Sequence, residues 1–64
     1  MQNPSPPDEA SETVGEIAGL YLGNILFALE ACASGLDAEG KADHAAFYRG
    51  IGRKLAEARG REKR

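Results

Sequence analysis

The side chains best suited to chemistry lie mid-chain: Cys32, Ser34, Asp37, Glu39, Asp43 and His44. Such a set could in principle pair a thiolate with an imidazole base, or ligate zinc. The spacing supports neither. A helical zinc site places two histidines four residues apart, and this chain has a single histidine and a single cysteine. Cys32 falls in an apolar helical stripe, where cysteine acts as a small hydrophobe. No Ser–His–acid or Cys–His order is suggested, and no glycine-rich phosphate loop follows a strand. The sequence therefore reads as non-enzymatic, with no catalytic residue, metal site or cofactor, and its function is expected to be binding.

The elements that carry these residues follow from caps and periodicity. Residues 1–8 hold Pro4, Pro6 and Pro7 among polar neighbours and read as a disordered tail. Asp8, Glu9 and Glu12 suit a helix N-terminus, and Thr13-Val14-Gly15-Glu16 has the form of a capping box. A first helix is expected over about residues 10–34. Gly35 reads as its left-handed stop, Leu36 as the apolar contact after it, and Asp37 as the next N-cap. The turn spans 35–41, a second helix about 42–59, Gly60 is its C-cap, and residues 61–64 form a charged tail. Residues 9–60 thus read as one helical hairpin, antiparallel because its connection is short.

Both helices carry apolar stripes. Val14, Ala18, Tyr21, Leu22, Ile25, Leu29 and Cys32 on the first, with Phe47, Tyr48, Ile51 and Leu55 on the second, are the expected core or interface. Gly15, Gly19 and Gly23 form two overlapping G-x-x-x-G units, and Ala42, Ala46 and Gly50 repeat that spacing. Each helical glycine costs nearly 1 kcal/mol, so these six residues are expected to mark close helix packing. A chain of 64 residues buries little apolar surface per ordered residue. It has no disulfide to help, so self-association is the expected staple.

Charge is divided along the chain. Residues 1–40 carry seven acids and no Lys or Arg; residues 41–64 carry eight bases against three acids, for a net charge of −2. Arg49, Arg53, Lys54, Arg59 and Arg61 could contact an anionic partner such as nucleic acid, although the acidic half opposes that. The stretch 17–36 has only Asn24, Glu30 and Ser34 as polar members. That is long enough to span a bilayer, at a cost set by Glu30 and Asn24. Residues 1–7 show no positive charge and no apolar run, so a secretory signal is not expected and the cytoplasm is.

The segment Leu36-Asp37-Ala38-Glu39-Gly40-Lys41-Ala42-Asp43 resembles the turn of the Rop-type plasmid RNA-binding hairpins. The resemblance implies a dimeric four-helix bundle. In that family the RNA-contacting face lies largely on the first helix and includes basic residues, which the first helix here lacks, so the resemblance does not extend to RNA binding. Ile51-Gly52-Arg53-Lys54-Leu55-Ala56-Glu57-Ala58-Arg59 is similar to the opening helix of phage-repressor-type helix-turn-helix domains. No recognition helix follows it.

The expected fold class is all-α: an antiparallel two-helix hairpin that dimerises into a four-helix bundle. The expected function is that of a small regulatory or adaptor protein working by protein–protein contact, as a homodimer with a further protein partner. Weak nucleic-acid binding through the basic second half is the alternative, and a single membrane span the second alternative.

Overall fold

The computed structural model describes residues 12–62. They form three helices and no strand: α1 (Val14–Leu20), α2 (Leu22–Ala38) and α3 (Ala42–Glu62). The expected tail at residues 1–8 lies outside the described residues, as do Lys63 and Arg64.

The start of α1 is fixed by its cap. Thr13 Oγ1 accepts from the Glu16 N–H at 3.0 Å, and the Thr13 N–H donates to Glu16 Oε1 at 3.0 Å. Two otherwise orphaned donors are satisfied reciprocally. The single first helix expected over 10–34 is instead two helices, bent by 80° at Tyr21. Tyr21 leaves helical geometry (φ −107°, ψ 21°), while its N–H still bonds the Ile17 carbonyl. The bend falls between Gly19 and Gly23, the residues of lowest helix propensity in this stretch.

The helix stop also differs from expectation. Gly35 lies inside α2, and Asp37 is helical rather than an N-cap. The left-handed position belongs to Gly40 (φ +80°). There the Lys41 N–H reaches the Leu36 carbonyl at 2.8 Å and the Gly40 N–H reaches the Asp37 carbonyl at 2.9 Å. These two bonds are a Schellman closure. Two glycines five apart both offered a stop, and the chain uses the second, keeping one more turn of α2. The turn is thereby shortened from 35–41 to residues 39–41. At the other end α3 continues through Gly60 to Glu62, so Gly60 is not its cap.

α2 packs along α3, whereas α1 makes far less contact with α2. The molecule measures 50 × 35 × 15 Å. A helix with its side chains is about 10–12 Å across, so the short dimension is that of one helical layer. Among the described residues only Ala33 and Ala45 are fully buried, and no large side chain is. Leu22, Ile25, Leu26, Leu29 and Leu36 on α2, with Tyr48, Ile51, Leu55 and Ala58 on α3, are half-buried. Four of the residues expected in the core or at an interface are exposed in the single chain: Val14 at 85%, Phe47 at 63%, Tyr21 at 53%, and Cys32. Val14 is carried away by the bend. Cys32 and Phe47 stand beside the seam, because a pair of helices covers only one stripe on each.

Replacing Gly40 by Ala forces an L side chain into the left-handed region, at a cost of about 1–2 kcal/mol. Denaturant unfolding at fixed protein concentration should show that loss, whereas Gly35→Ala should be neutral or stabilising.

Candidate interaction surface

The seam is built from small residues at one end and leucines at the other. On α2 the row Leu22, Leu26, Leu29, Ala33, Leu36 steps by four and three, and on α3 Ala45, Tyr48, Gly52 and Leu55 step by three and four. A Cβ built on Gly52 would stand 3.5 Å from Leu26 Cδ2 and 3.7 Å from Leu29 Cδ1. Ala33 and Ala45, both fully buried, and Gly52 therefore lie at the α2–α3 seam. The signal was present as the heptad-like step of these rows, masked by the larger residues of the adjacent stripe.

The expected packing glycines are placed differently. Nothing lies within 4 Å of a Cβ on Gly23, and one on Gly15 would meet only Thr13 of its own helix. Gly19 does face α3: a Cβ there would sit 3.0 Å from Arg59 Nη1. Gly50 would meet only Arg53 of its own helix, and Ala42 and Ala46 are exposed. Gly15, Ala18, Gly19 and Leu22 line a shallow cleft with Leu55, Ala58, Arg59 and Glu62. Within the expected core set, Ala18, Leu22, Ile25, Leu29, Tyr48, Ile51 and Leu55 do lie half-buried toward the seam.

One flank of the seam is polar. The Arg49 guanidinium donates to both Glu30 oxygens (Nε–Oε1 3.0 Å, Nη2–Oε2 2.9 Å) and, through Nη1, to Asp37 Oδ2 at 2.7 Å. Ser34 Oγ adds a bond to Glu30 Oε2 at 3.3 Å. The hydrogen bond from Arg49 holds the Glu30 carboxyl below its ordinary value, against a smaller opposing effect of desolvation. The two carboxylates in turn raise the Arg49 pKa. Arg49, read from sequence as a contact for an anionic partner, is thus occupied within the chain. Arg59 lies 3.4 Å from Glu62, and Lys41 3.4 Å from Glu39. Arg53, Lys54 and Arg61 are exposed and make no ion pair among the described residues.

Large apolar side chains are exposed beside these charges. Phe27 is 77% exposed and Leu20 70%. Phe47 meets Tyr48 edge to face at 5.3 Å. Beside it a groove of about 430 Å³ runs along Ala46, Gly50 and Ile51 to Lys54. Among the described residues no three His, Cys, Asp or Glu side chains gather as metal ligands. No single helix among them is long and apolar enough to cross a membrane, and α1 and α2 qualify only as a pair bent by 80°. Compared with protein-family models, curated proteins and solved structures, the chain matches none.

Two outcomes follow. Gly23→Ala, entering open space in a helix, should raise stability by up to about 1 kcal/mol; a loss in thermal unfolding would restore the ridge as a packing surface. For the clamp, a carboxyl held below its ordinary value of 4.5 adds stability that is fully present above that value. That stability is lost as pH falls through the lowered one. Arg49→Gln should therefore melt below the wild type by a constant margin above about pH 5, and the margin should narrow as the solution is acidified below pH 4.5.

Proposed function

We propose that this chain is a small, non-enzymatic regulatory or adaptor protein of the cytoplasm, acting through protein–protein contact. In this reading α2 and α3 form an antiparallel hairpin. Two copies pair into a four-helix bundle, and the outer surface of the bundle engages a further protein.

The observation that carries the reading is the single helical layer, 15 Å thick, with no large side chain fully buried among the described residues. Domains are built from two packed layers around a core. One layer leaves its apolar rows in water, and each large aliphatic side chain so left forgoes roughly 1.5–3 kcal/mol. A second layer from another chain recovers that energy. The open, shallow character of the grooves also favours a macromolecular partner over a small substrate, since sites for small molecules enclose most of the ligand.

A second reading, nucleic-acid binding, rests on Arg53, Lys54 and Arg61, which are exposed and free of ion pairs among the described residues. Arg49 is already engaged by Glu30 and Asp37, and the seven acids of residues 1–40 oppose a phosphate backbone. Such binding is expected to be no tighter than the nonspecific range of about 10⁻⁴–10⁻⁶ M.

Light scattering at micromolar concentration should return twice the 6.8 kDa chain mass. Submicromolar retention of a defined RNA or DNA at physiological salt, lost in an Arg53→Glu/Lys54→Glu variant, would instead select the second reading.

A further inference from the structure

We propose that α1 is a strap, hinged at Tyr21 and latched by Arg59, that folds over one end of the α2–α3 seam and opens by straightening into line with α2. The device stands on contacts within one chain and goes beyond the function proposed above.

The bend is confined to one residue. Tyr21 has φ −107° and ψ 21°, and helix resumes at once on either side. Its N–H still bonds the Ile17 carbonyl at 3.1 Å, and its carbonyl still accepts from the Ile25 N–H at 2.9 Å. A hinge is such a position, at the end of an element, that absorbs the change in backbone angle. A rotation of roughly 40–60° in each angle of Tyr21 returns it to helical geometry, which would make Val14–Ala38 one helix. No proline lies between those residues. Gly19 and Gly23 lower the stiffness of the stretch without choosing a direction for the bend.

The choice is made on α3. A Cβ built on Gly19 would stand 3.0 Å from Arg59 Nη1 and 3.8 Å from Arg59 Cζ. The guanidinium thus rests against the last turn of α1, where only a glycine leaves room for it. The carbonyls at a helix C-terminus carry partial negative charge, and α1 has no basic residue of its own in that turn. Arg59 supplies the missing cation from another helix. Under the strap, Ala18 and Leu22 line a cleft of about 130 Å³ with Leu55 and Ala58.

The latch is built to release. The Arg59 side chain is 43% exposed, and its one carboxylate partner among the described residues, Glu62, lies at 3.4 Å. Exposed charges hold one another weakly. The fully buried seam residues, Ala33 and Ala45, lie on α2 and α3, so α1 can leave without parting the hairpin.

Spin labels on Cys32, whose thiol is exposed, and on a Val14→Cys variant, at a position 85% exposed, read the swing. The two positions are about 27 Å apart along a straight helix and about 21 Å apart across an 80° bend. Labelled chains are diluted into an excess of unlabelled protein, so that only distances within one chain are measured. The labelled Val14→Cys protein should show the shorter distance. Adding Arg59→Ala should move the distribution outward by about 6 Å and keep the helical circular dichroism. Gly19→Ala, whose methyl displaces the guanidinium, should move it the same way. Arg53→Ala, also on α3 but away from the strap, should leave it in place. A distribution already at the longer distance with Arg59 intact would overturn the strap. One that Arg59→Ala leaves unmoved, or that Arg53→Ala moves equally, would overturn the latch.

Discussion

The architecture depends on how closely α2 can approach α3. Among the described residues Ala33 and Ala45 are the two that lose all contact with solvent, and Gly52 offers its bare backbone to Leu26 and Leu29. Small residues let two helices lie near each other, but they contribute little transfer energy of their own. The seam thus fixes geometry more than it supplies stability, and the large apolar side chains are left on its margins. The half-buried rows, the thin slab and the exposed aromatic residues all follow from that one allocation of small and large side chains.

The two flanks of the seam are held in different ways. On one, Arg49 bridges two carboxylates that sit a two-turn step apart on α2, so that a single planar guanidinium spans the two positions. The acids of the first half and the bases of the second, which looked in the sequence like opposed fields, are here partly cancelled within the chain. The other flank has no such closure among the described residues.

Much of the local structure was legible in the residues. The capping box at Thr13 and Glu16, the helical nature of both apolar segments and the absence of strand patterning all follow from short-range rules. Two features were not. The choice between Gly35 and Gly40 as the left-handed residue turns on one extra helical turn and the Leu36 and Asp37 carbonyls it closes on, and both glycines satisfy the local rule. The bend at Tyr21 is a sum of small propensity losses at Gly19 and Gly23 rather than a single breaker such as proline. Of the residues expected in the core or at an interface, Ala18, Leu22, Ile25, Leu29, Tyr48, Ile51 and Leu55 lie half-buried, whereas Val14, Tyr21, Cys32 and Phe47 are exposed in the single chain. A helix apolar over most of its surface offers several candidate stripes, and only the small residues at 33, 45 and 52 select among them.

The seven-residue α1 has a property that its capping box does not alter. A helix of that length is far below what persists alone in water, and beyond the bend it shares few contacts with the rest of the fold. Its backbone hydrogen bonds are therefore the ones that open most readily, and the amide hydrogens between Gly19 and Leu22 are expected to exchange with solvent faster than those at the α2–α3 seam.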